Sequence, residues 1–207
     1  MTDLKPDIVR LILSDHETFR AQFAQLAGLR DEPQAASVLW GELAAHLEVH
    51  ASAEEAHFYP ALLKKVDDSE DETKDAIHDH DEIREGIRRA AAAEAGSDEW
   101  WAGIQDAREA NDEHLAEEER DDLPDFLRSA SVEDRQALGA LFTTFKDEHP
   151  WAAGLGYADK DPDAFVEQNS WGVGARGRAR HRPPRRPRRA GRAAPEPGRT
   201  SPTPTVR

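Results

Sequence analysis

The sequence predicts an all-α fold: an up-down-up-down four-helix bundle built from two repeated helical hairpins, plus a short fifth helix and a disordered basic C-terminal tail. Three observations support this fold class. Apolar residues recur at the helical period up to about residue 145, with no competing strand pattern. Prolines are sparse between Pro6 and Pro124. The residue pattern also repeats at an offset of 64 positions.

Five helices are predicted in order along the chain, four of them long and joined by short links. The first helix carries an apolar side formed by Ile8, Ile12, Phe19, Phe23 and Leu26. The later helices show the same spacing of apolar residues. Their approximate ranges are 6–29, 33–65, 69–93, 97–127 and, for the shorter fifth helix, from 131 onward.

Local signals predict the helix boundaries. Pro33 suits a first helical turn, and Pro60 predicts a kink within the second helix. Ser69 and Glu72 have the spacing of a capping box at the start of the third helix. The remaining starts are assigned to Ser97 or Asp98 for the fourth helix, and to Ser131 with Asp134 for the fifth.

The end of the 207-residue chain differs in composition from the rest. From Arg176 to Arg207 there are 11 arginines, one acid and 7 of the 13 prolines. This segment carries a charge of +10 within a net −15, so the preceding residues carry −25. Its composition cannot build a packed core. We therefore divide the chain into a helical domain over 1–150, an irregular extension over 151–171 and a disordered Arg/Pro-rich tail over 172–207.

Composition also excludes several classes of function. The acidic helical domain repels nucleic acid and anionic membranes. The tail lacks interleaved aromatics, so transient contact with the acidic domain is favoured, with nucleic-acid binding and unselected coding sequence as the alternatives. The absence of cysteine excludes disulfides, cysteine zinc sites and cysteine nucleophiles. No apolar run reaches the roughly 18 residues of a membrane span, and no secretory signal is visible, so a cytoplasmic protein is expected.

The repeat places the same polar residues in both hairpins. Each hairpin has a lone His on its first helix and a His-x3-Glu motif on its second. A His and a Glu four residues apart share one helix face, about 6 Å from each other. All of these residues stand in the apolar stripe of their helices, so they are expected to point inward. The corresponding pairs are His16 and His80, His50 and His114, and Glu54 and Glu118.

These inward residues predict a dinuclear metal centre. A buried Glu is costly unless a positive charge compensates it, and metal ions shared by both hairpins would do so. Two His and one carboxylate form the ligand set that suits Fe(II) with positions left open, although ligand type alone leaves manganese open. Two such sets facing each other would place Glu54 and Glu118 as bridges between the cations.

Individual residues have other interpretations. A single His on an apolar face is more often a hydrogen-bonded core residue, and only the duplication reverses that preference. His46 and His57 are expected to support a ligand or to be exposed, while Glu55 and Glu119 could contribute at the metal. The solvated surface is expected to carry Asp15, Asp79, Asp81 and Glu82, and His78, two residues before His80, is expected to face away from the centre. Apolar packing is expected for Trp40, Trp100 and Trp101.

A ferritin-like di-iron site is the nearest rival. It needs Glu-x-x-His on two helices and a lone Glu on each of the other two. Glu54 and His57 fit that motif once, but Asp121 stands at the second His position. Histidines, rather than glutamates, also occupy the two lone positions, so this interpretation is disfavoured.

The two repeats resemble the hemerythrin-like (HHE cation-binding) family, whose repeats read His, then His-x3-Glu-Glu-x-x-Phe-Tyr-Pro. The resemblance covers about residues 5–128. The first repeat here has His16 and then His50, Glu54-Glu55 and Phe58-Tyr59-Pro60. The second has His80 and then His114, Glu118-Glu119 and Leu123-Pro124.

The resemblance implies a four-helix bundle that holds two non-heme iron ions with a bridging oxo or hydroxo group. It also implies dioxygen binding, sensing, iron handling or peroxide chemistry. Oxygen carriers of the family have a His four residues before the third-helix His and an Asp five residues after the fourth-helix His. This chain has Ala76 at the first of these positions, and its carboxylate Glu118 is only four residues after His114. Transport is therefore disfavoured.

One function is favoured by these observations, and two alternatives remain. Nitrogen-rich ligation favours a protein that binds a small ligand such as dioxygen (or nitric oxide) for sensing or storage, with no catalytic residue assigned. The alternatives are an enzyme that decomposes hydrogen peroxide, and an iron-handling or purely structural bundle. The sequence does not identify a protein partner that would respond to ligand binding.

Overall fold

The computed structural model describes residues 6–170, and within that range all regular structure is helical. One π-helix, Glu54–Phe58, joins α2 to α3, and a second, Glu118–Asp122, joins α5 to α6. The tail predicted over 172–207 lies outside the described residues. The α-helices are α1 Ile8–Ala27, α2 Pro33–Ala53, α3 Tyr59–Lys65, α4 Glu70–Ala91, α5 Asp98–Glu117, α6 Leu123–Ser129, α7 Val132–Glu148 and α8 Pro162–Asn169.

Most helix starts follow the local signals in the sequence. The side chains of Asp7, Ser97 and Ser131 each accept a hydrogen bond from a backbone N–H of the first turn. The capping box predicted at Ser69 and Glu72 is wrong. Ser69 Oγ instead donates to the carbonyl of Val66 at 2.9 Å, which fastens the preceding turn rather than the new helix.

A π-helix stands where a kink at Pro60 was predicted. Proline has no N–H to continue the helical hydrogen bonds, and its ring crowds the carbonyl four residues earlier. The wider π turn accommodates this, and Tyr59 N donates to the carbonyl of Glu54, five residues back. The same turn recurs before Pro124, where Leu123 N donates to the carbonyl of Glu118. Both predicted inward glutamates therefore stand at the first position of a π turn.

The two hairpins are packed differently. In the second hairpin, a Cβ on Gly86 of α4 would lie 2.5 Å from the backbone N of Ala107 on α5. A Cβ on Gly103 would lie 2.5 Å from the backbone N of Ala90. The helices α4 and α5 therefore touch backbone to backbone. In the first hairpin, large side chains such as Phe23 and Trp40 stand between α1 and α2, with ring centroids 6.4 Å apart.

Apolar clusters lie on both sides of the level that the predicted ligands occupy. One cluster includes Phe19, Leu43 and Ile87, and it also takes in the three tryptophans for which packing was predicted. The other includes Ile12 and Phe58. On α1, α2 and α4, each predicted ligand stands in sequence between residues of the two clusters. This arrangement keeps the polar level away from water.

The segment after α7 contains a helix that was not predicted. We predicted an irregular extension over 151–171, but Asp161 caps a helix, α8, which packs against α4. The cap is local: Asp161 Oδ1 accepts from Ala164 N at 2.8 Å. Among residues 6–170, no helix is both long and apolar enough to span a membrane. The cytoplasmic location stays a prediction.

Candidate metal centre

The structure brings all six predicted ligand residues into one buried level. Every one of them is at most 3% exposed. Four long helices and both π-helices contribute: His16 from α1, His50 from α2, Glu54 from the first π-helix, His80 from α4, His114 from α5 and Glu118 from the second π-helix.

The four imidazoles direct their Nε2 atoms at the two glutamates. His50 Nε2 lies 2.9 Å from Glu54 Oε1, while His80 Nε2 lies 3.3 Å from Glu54 Oε2. His114 Nε2 lies 3.8 Å from the same Oε2 atom. His16 Nε2 lies 3.2 Å from Glu118 Oε2. Glu54 thus contacts histidines of both hairpins.

Two groups of ligand atoms result, and both include Glu54. The first group comprises His16, His50 and Glu54, and the second comprises Glu54, His80 and His114. In each group, one potential ligand atom per residue lies within 4.8 Å of the others. We call these groups the first and the second cation position.

Several buried polar atoms at this level have no hydrogen-bond partner. Whether a metal ion could satisfy them shows whether these residues fit a metal. Their close contacts lack hydrogen-bond geometry, and an unsatisfied buried polar group costs about 1–3 kcal/mol, or more when charged. Cations between the nitrogens and the carboxylate oxygens would satisfy these atoms together, so the donor set fits. The atoms concerned are His16 Nε2, His50 Nε2, both Glu54 carboxylate oxygens and Glu118 Oε2.

A further carboxylate stands behind each histidine, within hydrogen-bond distance for three of the four. His16 Nδ1 lies 2.9 Å from Glu119, and His80 Nδ1 lies 2.9 Å from Glu55. The other two pairs are His50 Nδ1 with Asp15 at 3.0 Å and His114 Nδ1 with Asp79 at 3.8 Å. An Nδ1–H that donates to a carboxylate leaves the Nε2 lone pair facing inward, as a metal ligand requires. We call Asp15, Glu55, Asp79 and Glu119 the outer carboxylates.

Two imidazoles approach each other closely in the second cation position. His80 Nε2 and His114 Nε2 are 3.2 Å apart. With both Nδ1 atoms turned to outer carboxylates, two neutral rings would face each other with lone pairs. A cation or a proton between them removes that repulsion.

Sequence reasoning missed two of the four outer carboxylates. We predicted a solvated surface for Asp15 and Asp79, but both are buried. A usable signal was present, because the 64-residue offset relates Asp15 to Asp79 just as it relates Glu55 to Glu119. Solvent exposure was predicted correctly for Glu82, which pairs at the surface with His78 at 3.5 Å.

The remaining histidines stay outside both cation positions. His46 Nε2 lies 3.3 Å from Asp15, so it supports an outer carboxylate. The ring of His57 packs against Phe145 instead, with centroids 5.8 Å apart. The Glu-x-x-His motif of a ferritin-like site is therefore not assembled here. His181 lies outside the described residues.

Without metal, protons compensate the buried carboxylates. Burial alone would lower the pKa of His50, but Glu54 and Asp15 overcome it and raise the pKa to about 10. Burial likewise opposes ionisation of His80, yet Glu54 and Glu55 raise its pKa to about 9. Burial would raise the pKa of Glu54, and the histidines around it hold that pKa well below the usual value. Cations could replace these protons, because metal binding needs neutral imidazoles and ionised carboxylates.

Tyr59 breaks the symmetry of the duplicated ligand set. Its buried O–H donates to Glu118 Oε1 at 3.1 Å, whereas its repeat equivalent, Leu123, has no polar group. Burial, followed by the charge of Glu118, raises the pKa of Tyr59 well above its usual value, so it stays protonated. Glu118 therefore has one oxygen engaged by Tyr59, while both Glu54 oxygens face the centre. The prediction that both glutamates bridge the two cations stays a prediction, and Tyr59 makes their surroundings unequal.

Comparison with known proteins yields one family. The model of the hemerythrin HHE cation binding domain matches residues 7–126, which is more than half of the chain. The matched range contains both repeats and all six residues of the two cation positions. No curated protein and no solved structure gives a significant match.

Proposed function

The chain belongs to the hemerythrin HHE cation-binding family, and we propose that it binds two iron ions at this centre and a small ligand such as dioxygen or nitric oxide at an open iron position. Binding would serve sensing or storage. The observation that carries the proposal is the set of buried imidazole and carboxylate atoms that face one another without hydrogen-bond partners.

The ligands divide between the two cation positions. His16 and His50 would hold one cation, and His80 and His114 the other, with Glu54 shared between them. Glu118, whose Oε2 lies near His16, would complete the first position. We also propose that the helices α1, α2, α4 and α5 form an up-down-up-down four-helix bundle around the centre.

The chain's own residues would control the chemistry. Iron(II) ions, when bound, supply the electrons for reversible ligand binding. Three outer carboxylates, Glu119, Asp15 and Glu55, would hold the Nδ1 protons of His16, His50 and His80 and so keep these imidazoles oriented. The apolar clusters on both sides exclude water, which strengthens every electrostatic interaction within the centre. Four imidazoles against two inward carboxylates favour ligand binding over the highly oxidised states that anionic oxygen donors stabilise.

A second candidate is the decomposition of hydrogen peroxide to dioxygen and water. Tyr59 is the observation that favours it, because its buried O–H holds a proton beside an inward carboxylate. Such a proton could be donated to a departing hydroxide.

Anaerobic loading with iron(II) tests both candidates. We expect two iron ions per chain, and a visible absorption band that forms in air and disappears when oxygen is removed. Evolution of dioxygen from added peroxide would instead support the enzyme. His50→Ala should lose iron, whereas His78→Ala, at an exposed histidine away from the centre, should keep it. A folded chain that retains no iron would contradict the proposal.

A further inference from the structure

We propose that the two cation positions exchange with solvent at different rates, the first rapidly and the second slowly. This inference rests on the proposed metal binding and goes beyond it. The first position opens to solvent at Arg20 and Glu119, which we call the exchange side. The second is closed by residues 157–163, which we call the strap.

The outer carboxylates Glu119 and Glu55 show the difference most directly. They are equivalent in the repeat, and each accepts from the Nδ1 of a predicted ligand at 2.9 Å. The side chain of Glu119, behind His16, is 30% exposed. The side chain of Glu55, behind His80, is only 2% exposed. Water therefore reaches the outer carboxylate of the first position but not that of the second.

The arginines behind these carboxylates differ in the same direction. Arg20 and Arg84 are also equivalent in the repeat, and they bind Glu119 and Glu55 at 2.8 and 3.0 Å. The side chain of Arg20 is 45% exposed, whereas that of Arg84 is 1% exposed. Arg84 also donates from Nε to Glu48 at 2.9 Å. A buried network of this kind is costly to open, because each separated charge would be left unpaired.

The strap covers the second position from outside. Lys160 Nζ donates to Glu55, and the backbone N of Lys160 donates to Asp81 at 3.0 Å. Two further ion pairs fasten the strap to α4: Arg88 with Asp159 at 2.8 Å, and Lys74 with Asp163 at 2.6 Å. The side chain of Lys160 is itself 43% exposed and covers Glu55 from the solvent side, whereas Arg20, the charged partner of Glu119, leaves that carboxylate 30% exposed. The strap thus seals one of two equivalent carboxylates.

The other two outer carboxylates agree with this division. Asp15 belongs to the first position, and its partners His46 and Lys146 are both half-buried and reach solvent. Asp79 belongs to the second position and is 2% exposed, against 7% for Asp15, so the difference between these two lies mainly in the partners of Asp15. A cation leaves only when water reaches its ligands and an imidazole turns away. Local opening of this kind costs least where the surrounding groups already border solvent.

Release of cobalt(II) from the full chain tests the inference. The protein is loaded without oxygen and mixed with excess EDTA, and the loss of the cobalt absorption is followed over time. We expect two phases of equal amplitude. Arg20→Ala should accelerate the fast phase by about tenfold, because loss of an outer-sphere partner has effects of that order. Lys160→Ala should accelerate the slow phase by a similar factor.

Matched variants separate a local effect from a general loosening. Arg89→Ala removes an exposed arginine that pairs with Asp106 on α5, and it should change neither phase. Lys160→Arg keeps the positive charge on Glu55 and should restore slow release. Circular dichroism of each variant verifies that the helices remain.

The outcomes distinguish this inference from the proposed function. A folded chain that binds no cobalt would overturn both. Binding of two cobalt ions that leave in a single phase would overturn the unequal exchange and leave metal binding intact. Acceleration of the slow phase by Arg20→Ala, or of the fast phase by Lys160→Ala, would also overturn it.

Discussion

The two hairpins of this protein carry the same polar residues in different packing. In the second hairpin, Gly86 and Gly103 let α4 and α5 touch along their backbones. At the equivalent positions the first hairpin has Gln22 and Leu39, and rings such as Phe23 and Trp40 separate α1 from α2. The ligand set therefore depends on spacing along each helix, whereas the distance between helices depends on side-chain volume.

The same contrast extends to the surroundings of the ligands. A buried arginine and the strap enclose Glu55 behind His80. The equivalent Glu119, behind His16, borders solvent. The two copies of the ligand set therefore differ in how far their surroundings are exposed to solvent. The following predictions test this comparison, in order of decreasing effect.

The largest effect is expected from the two inward glutamates. Glu54→Gln should abolish binding of both cations, because Glu54 belongs to both cation positions. Glu118→Gln should weaken only the first position, by about 10–100-fold, since Tyr59 already engages one of its oxygens. Metal analysis and titration measure both. Glu82→Gln at the surface is the control, and equal losses in the two inward variants would contradict the inequality.

Removal of metal should loosen the first hairpin more than the second. A cation present at 1,000 times its dissociation constant stabilises the folded state by about 4 kcal/mol, and chelation removes that contribution. Because α4 and α5 keep their backbone contact without metal, their amides should stay protected from hydrogen exchange. Hydrogen exchange before and after EDTA treatment measures this. A greater loss of amide protection in α4 and α5 than in α1 and α2 would contradict this prediction.

Close helix packing in the second hairpin should make its glycines intolerant of a methyl group. Gly86→Ala places a Cβ 2.5 Å from the backbone of Ala107 and should lower the free energy of unfolding. Overpacking of this kind costs about 1–3 kcal/mol. Gly41→Ala is the matched control, because a Cβ there meets nothing within 4 Å. That change should stabilise α2 by about 0.5–1 kcal/mol in urea unfolding.

The smallest effect is expected from Tyr59, whose repeat equivalent in the second hairpin, Leu123, has no polar group. Tyr59→Phe removes the O–H that donates to Glu118 Oε1 and leaves that buried carboxylate less satisfied. The free energy of unfolding of the metal-free chain should fall by about 1.5 kcal/mol, the low end for a hydrogen bond to a charged group. Urea unfolding measures it. An unchanged midpoint would show that the hydrogen bond contributes nothing.

The sequence predicted most helices and the grouping of the six inward residues. Their positions follow from the helical period and from the repeat, and both are local patterns along the chain. The resemblance to the HHE family is confirmed by the family match. The capping box at Ser69 was wrong, because its hydroxyl has a nearer acceptor in the preceding turn.

The residues around the ligands could not be predicted in the same way. Asp15 stands directly before His16, yet it contacts His50 on another helix. Glu119 reaches His16 across 103 positions of sequence, and Lys160 reaches Glu55 across 105. Such contacts depend on how each helix is rotated and how closely it approaches its neighbours.

Apolar periodicity indicates which face of a helix turns inward, so the residue pattern was enough to predict the helical class, the duplication and the inward His and Glu residues. The folded chain was needed to show which carboxylates stand behind the histidines, which glutamate oxygen Tyr59 engages, and which half of the centre the strap covers. These features arise from side chains distant in sequence, and their contacts depend on the packing volume between helices.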